Sequence, residues 1–242
     1  MRRKRDTTAT LAHEAHEVKA GAARAAVLGV NDGLVSTLCI ILGVAGAGSG
    51  QNAVRLAGLA GLIAGAVSMA AGEWISVTAQ VELFKGVLGS LKGLIANDRA
   101  ELIDKLAQTF RNDVGLSEET ARKAAEEIGS DDTRLYETSA LRLVGITTDE
   151  LGSPWTAALS SLLLFTLGGL APLLPWLFGS GAAAVVWSIA LTAAGGLVVG
   201  GVVARSSDRP VPYGAFRQLL IILLAAGVTY GCGLLVGGTG LG

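Results

Sequence analysis

The sequence predicts an all-α integral membrane protein with five transmembrane helices and a three-helix cytosolic insertion between the second and third. Three observations carry this. The 242 residues are 51% hydrophobic with a mean hydropathy of +0.54. Their charges fall almost entirely outside five long apolar blocks. One internal stretch, residues 82–150, breaks that pattern with 14 acidic and 9 basic side chains.

Residues 1–25 open with MRRKR, a basic start like that of a secretory signal. A long polar, charged stretch follows before the first apolar block, and no small-residue cleavage pattern ends that block. The sequence therefore predicts no cleaved signal peptide, and residues 1–25 read as a cytosolic segment. The spans fall near residues 26–48, 56–77, 155–178, 182–204 and 216–238. Each meets the requirement of about 20 apolar residues to cross a bilayer core about 30 Å thick. The chain thus divides into 26–81 with the first two spans, the insertion 82–150, and 151–242 with the last three.

Lysine and arginine set the orientation. Arg2, Arg3, Lys4, Arg5, Lys19 and Arg24 precede span one, nine basic residues lie in the insertion, and Arg205, Arg209 and Arg217 flank the turn between spans four and five. Arg55 alone lies on the other side. The positive-inside rule places the N-terminus, the insertion and the 205–217 loop in the cytosol, and an odd number of spans puts the C-terminus outside. A net charge of −1 gives no reason to expect nucleic-acid binding. Cys39 and Cys232 fall inside spans, where free cysteines pack as small weakly polar residues and no disulfide framework is expected.

Span two lacks a terminating proline, so its helix is expected to run on into the cytosol. In LIANDRAELIDKLAQTF, Leu94, Leu102, Leu106 and Phe110 fit one helical face. Ser117 reads as the N-cap of the next helix, with Glu118 and Glu119 in its first turn, where the helix dipole favours acids, and Gly129 at its end. A third helix is expected over 132–144. Pro154 suits the first position of span three, where a missing N–H costs nothing. Gly61 and Gly65, Gly196 and Gly200, and Gly227 and Gly231 form small-xxx-small pairs that read as close helix packing.

Within the spans only Asp32 and Glu73 bring carboxylates. An unpaired charge in hydrocarbon costs at least about 2.5 kcal/mol on the insertion scale, so such groups face a cavity or a partner. Asp32, Ser36, Cys39 and Gly43 follow at spacings that place them on one stripe. Gly61, Gly65, Met69 and Glu73 repeat every four residues and bring a thioether and a carboxylate onto one face of span two. Carboxylate with thioether suits a borderline divalent transition metal better than magnesium or calcium. Each residue also has a structural reading: Asp32 as a cap at a helix break beside Gly33, Met69 as a packing residue, Glu73 as a group reaching the interface.

Four stretches carry a family resemblance: RAAVLGVNDGLVSTLCIILGVAGA, GLIAGAVSMAAGEWISVTAQ, ELGSPWTAALSSLLLFTLGGLAPLLPW and RQLLIILLAAGVTYGCGLLVG. In order and spacing, including the 37 residues from Asp32 to Met69, they resemble the vacuolar iron transporter family, also called the cross-complements-calcium family. The resemblance implies a non-enzymatic homodimer of five-span protomers that moves Fe2+, and often Mn2+, out of the cytosol in exchange for protons. It implies no prosthetic group; the metal is substrate. It also implies that Asp32 and Met69 are metal ligands in a pore between protomers, with Glu73 matching the glutamate of the same motif. The family's insertion is a three-helix domain whose glutamates collect metal.

Here the chain departs from the pattern. Glu82 stands alone in VELFKGVLGSLKGL, where the family carries a Glu-x-x-Glu pair. Glu101 and Asp104 supply an acid pair one turn apart, equally readable as a solvated helix face, and TSALRLVG has no acid at the expected place. The insertion has no histidine, which excludes a ferritin-type Glu-x-x-His centre. His13 and His16 in HEAHE lack the zinc-protease spacing and read as surface residues. The expected function is export of Fe2+ or Mn2+ by proton antiport. The alternative is a membrane-anchored dimeric sensor or interaction protein with a degenerate metal-binding domain. The membrane is the plasma membrane in a prokaryote or the vacuolar membrane in a eukaryote.

Overall fold

Helices form wherever the apolar blocks and the amphipathic insertion predict them, and glycine, serine and aspartate mark most of their ends. The computed structural model describes residues 7–145 and 152–239, with side chains from residue 27 onward. Five helices are long and apolar enough to cross a membrane: α1 (Thr7–Gly46), α2 (Gln51–Asn97), α6 (Pro154–Phe178), α7 (Gly181–Ser206) and α8 (Val211–Gly238). Between α2 and α6 come α3 (Arg99–Val114), α4 (Glu118–Ile128) and α5 (Asp132–Ser139), with a π-helical turn at Ala140–Val144. The apolar part of α1 is Val27–Gly46, close to the expected span, but the helix itself begins earlier, within the segment read as polar.

The chain divides into two units, Met1–Glu73 with Ala157–Gly242, and Trp74–Thr156. In the first, Ile41, Val54, Leu62, Ala66, Phe165, Leu173, Trp176 and Ala184 form one buried cluster, and Leu38, Leu42, Ile222 and Ala226 a second. Large apolar side chains such as Leu56, Leu167, Val198 and Leu224 point outward with well over half of their surface free. That inside-out distribution is compatible with a bilayer as solvent, where apolar surface needs no burial.

The helices of this unit cross on glycines. A Cβ at Gly33 would overlap the carbonyl oxygen of Phe165, and one at Gly168 would overlap that of Val30, so α1 and α6 meet backbone to backbone. Gly233 and Gly237 bring α8 onto α1 in the same way, against the carbonyls of Gly43 and Ala47. Gly200 and Gly214 seat α7 on α8, and Gly196 accommodates Ile222. Of the expected pairs, Gly61 and Gly65 make room for the side chains of Ile40 and Phe165. Gly227 and Gly231 meet nothing within 4 Å, so the packed face of α8 is the one carrying Gly233 and Gly237 instead.

Arg55 has a role that explains its isolation from the other basic residues. Its Nε donates to the carbonyl of Trp176 and a terminal nitrogen to that of Leu177 at 3.2 Å, capping the last turn of α6 with a positive charge. Gln51 Nε2 donates to the Gly179 carbonyl at 2.9 Å beside it. Within α6, the Pro172 carbonyl accepts from the buried Ser188 hydroxyl at 2.7 Å.

In the second unit the far end of α2 contributes Leu88 and Leu91 to a core with Leu102, Leu106, Phe110, Ala121, Ala125, Leu135 and Ala140. As expected, α2 does not stop at the end of its apolar part: the helix runs for 47 residues, Gln51–Asn97. One expectation is corrected. Residues 94–110 are not a single helix, because the chain turns at Asp98 (φ −135°), leaving Leu94 on α2 and the other three apolar residues on α3. Asp98 favours a non-helical N-cap position over a helix interior. Gly115, at φ +73°, ends α3 in the left-handed conformation that glycine adopts without steric cost.

The Ser117 side chain accepts from Thr120 N–H, as the N-cap reading requires, and Asp131 does the same for Arg134 N–H. That bond holds the Asp131 carboxyl below its ordinary range. The expected third helix is regular only to Ser139 and finishes in the π-helical turn, closed by Gly145 at φ +75°. Arg99 locks the start of α3 onto the α4–α5 corner through the Gly129 carbonyl, at 3.1 Å from Nε, and the Asp132 carboxylate.

Candidate metal path

Asp32 lies on α1 five residues past Val27, well inside the apolar stretch. The helix runs through it without a break, so the reading of Asp32 as a cap at a helix end beside Gly33 does not hold. Gly33 serves the α6 crossing instead. The Asp32 carboxylate is exposed on the subunit and accepts a hydrogen bond from the Ser36 hydroxyl at 2.7 Å, one turn along the expected stripe. Among the described residues no lysine or arginine pairs with it.

Met69 is half-buried on α2 and packs against the cluster containing Phe165. Its terminal methyl lies 3.7 Å from where a Cβ on Gly29 would stand. Gly29 precedes Asp32 by three residues, less than one helical turn. The fold therefore brings the methionine of α2 to the turn of α1 that bears the carboxylate, while the missing side chain at Gly29 serves the close approach of Leu164 on α6. Met69 is partly buried and packed against that cluster, so it has a packing role whether or not it is also a ligand. Glu73, four residues further along α2, is half-buried and forms no ion pair among the described residues.

The insertion acids are arranged differently. Glu101 is exposed and its carboxylate pairs with Lys105 at 2.6 Å, which holds the Glu101 carboxyl below its ordinary range through the hydrogen bond first and the charge second. Asp104 is exposed, and its charge helps hold Arg122 protonated, behind the larger effect of Glu126. Glu119 pairs with Lys123 at 2.6 Å, Glu126 with Arg122 at 3.0 Å, and Glu118 with Arg111 at 3.9 Å. Among the described residues no three His, Cys, Asp or Glu side chains converge as a metal site. The side chains of His13 and His16 lie outside the described residues.

Two polar residues escape the sequence reading. The Gln218 amide on α8 donates to Asn31 Oδ1, immediately before Asp32, and Arg55 caps α6. Each had a signal: Gln218 is a carboxamide inside an apolar block, and Arg55 is the lone basic residue between spans one and two.

The VIT family model matches residues 23–234, which takes in both the α1 and α2 ligand candidates, the whole of α2, α6 and α7, and most of α1 and α8. Vacuolar iron transporter homolog 2 of Oryza sativa subsp. japonica is 32% identical over 208 residues, covering 82% of this chain and 85% of its own. Vacuolar iron transporter homolog 4 of Arabidopsis thaliana is 32% identical over 226 residues, 90% of this chain and 85% of its own. The vacuolar iron transporter of Acanthamoeba castellanii is 30% identical over 222 residues, 89% and 79% respectively. With its long apolar helices and NDG and SMAAGE motifs in place, the chain belongs to the VIT family, a family of transporters and not of enzymes.

Proposed function

We propose that this protein is a multi-pass divalent-metal transporter that exports Fe2+, and with it Mn2+, from the cytosol by proton antiport, working as a homodimer. The single observation that supports it most is the exposed carboxylate of Asp32 within an apolar span, without a cation partner among the described residues. Facing lipid, it would carry a penalty of at least about 2.5 kcal/mol. Facing a second copy across a polar path, with the Met69 methyl near Gly29 three residues before it, Asp32 becomes a ligand. One chain offers a carboxylate and a weaker thioether donor, and a second copy doubles the set.

Metal binding needs the carboxylate deprotonated, so a metal ion and a proton compete for Asp32. Release of the metal on one side and uptake of a proton there is the minimum step of an exchange cycle. Glu73 stands further along α2 as a relay for metal or proton between the site and the cytosol. The paired state of Glu101 favours a secondary role for the insertion, as a regulatory or partner-binding module, over collection of metal. The basic residues flanking the α7–α8 turn support a cytosolic N-terminus and insertion.

Proteoliposomes with an imposed pH gradient test this. Fe2+ movement should follow the gradient in the parent and fall to the level of empty vesicles in Asp32→Asn, with Met69→Ala reduced and shifted in its preference between Fe2+ and Mn2+. Parent rates in both variants would remove these residues from the path.

A further inference from the structure

Asn31 and Gln218 form a hydrogen bond between side chains of different helices of the membrane unit, α1 and α8. It joins residues 187 apart in sequence, and both are partly buried. Its location adjoins the site: Asn31 immediately precedes Asp32, and Asp32 is exposed where Asn31 is half-buried. Successive residues on a helix point about 100° apart. Fixing the Asn31 carboxamide against α8 therefore fixes the rotation of α1 at that turn, and with it the direction in which the Asp32 carboxylate leaves the helix.

The surroundings of Gln218 are built to let it reach. A Cβ at Gly200 of α7 would stand 2.8 Å from Gln218 Cβ, and one at Gly196 3.5 Å from Gln218 Cγ. Gly200 thus clears the space through which the base of the Gln218 side chain passes on its way to α1, while a Cβ at Gly196 would meet Gln218 only at ordinary contact distance. Ile222, one turn further along α8, is fully buried and fills the space at Gly196. Three helices close on this one amide contact. A carboxamide in an apolar span is otherwise a cost, and in hydrocarbon its partner makes it a register pin between helices.

We propose that Gln218 is a positioning residue for metal transport: its side chain, passing close over Gly200 of α7 and bonded through its amide to Asn31, sets the angle at which α1 presents Asp32 to the metal. This rests on the reading of Asp32 as a ligand, and the test separates the two. In a background of Cys39→Ser and Cys232→Ser, Asp32→Cys is modified by a water-soluble maleimide with Gln218 intact and with Gln218→Leu, which needs no transport. In parallel, Fe2+ uptake is measured for Gln218→Leu, Asn31→Leu, the exchanged pair Asn31→Gln with Gln218→Asn, and Asp32→Asn.

The expected result is a changed modification rate and a KM for Fe2+ raised about threefold to tenfold in each single Leu variant, with maximal rate largely kept. The two Leu changes together should cost no more than one, and the exchanged pair should recover most of the loss. Unchanged maleimide rate and unchanged KM in Gln218→Leu, while Asp32→Asn abolishes uptake, would overturn the positioning role alone. A changed maleimide rate with Asp32→Asn transporting normally would keep the pin and overturn the ligand reading. A loss of maximal rate with KM unchanged in both Leu variants and no recovery in the exchanged pair would reduce Gln218 to a structural contact and overturn the proposal.

Discussion

The membrane unit and the insertion treat their carboxylates in opposite ways. In the membrane unit, Asp32 has a hydroxyl for a partner and, among the described residues, no cation, on a unit with many exposed large apolar side chains. In the insertion, Glu101, Glu119 and Glu126 each pair with a lysine or arginine one turn away on the same helix. An acid already matched to a base on an exposed helix is stabilised weakly and has little field left for a cation in solution. An unmatched acid in a low-dielectric setting attracts one strongly. On the proposed function, the contrast favours transport through the spans and leaves the insertion, with 14 acidic and 9 basic side chains, a helical module whose acids are partly paired on its own surface.

Three perturbations sharpen that contrast beyond the transport assays, in decreasing order of effect. Gly33→Ala puts a Cβ against the backbone of Phe165 and Gly169, where no side chain can yield, and should destabilise the detergent-solubilised protein by about 2–3 kcal/mol. Gly227→Ala, facing open space, should leave the melting temperature unchanged or raise it slightly through helix propensity. Equal losses in the two would remove the claim that Gly33 serves the α1–α6 crossing. Arg55→Ala takes the charged cap from the last turn of α6 and should cost about 1–2 kcal/mol in the same denaturation measurement.

The smallest effect belongs to the insertion. Asp131 is held below its ordinary range by the backbone N–H of Arg134, so its folded pKa is lower than its unfolded one. The stability it contributes is present above the unfolded value of about 3.9 and is lost as pH falls through the folded value. Asp131→Ala should therefore lower the melting temperature at neutral pH and flatten its decline on acidification. A parallel curve would show that the cap contributes nothing through its charge.

Much of this was legible in the chain because hydrocarbon imposes simple rules. Length and apolarity mark α6, α7 and α8 to within a few residues, and a carboxylate in such a block announces itself, as Asp32 does. The i, i+4 ladder also places Ser36 against Asp32 correctly. What it does not specify is pairing between helices. Gly233 and Gly237 were not distinguishable from Gly227 and Gly231 by spacing, because which face of α8 meets α1 depends on the tertiary crossing. The same holds for the Gln218 and Asn31 contact, between groups 187 residues apart. The turn at Asp98 was hidden by apolar positions that keep helical phase across it.

The central claim, that metal crosses on Asp32 and not by way of the insertion acids, is tested most directly by one side-by-side assay of Fe2+ movement in proteoliposomes. Asp32→Asn is compared with the double variant Glu101→Gln and Asp104→Asn, at matched reconstitution. The account predicts background rates in the first and near-parental rates in the second. Parental transport by Asp32→Asn, with loss in the double variant, would contradict it.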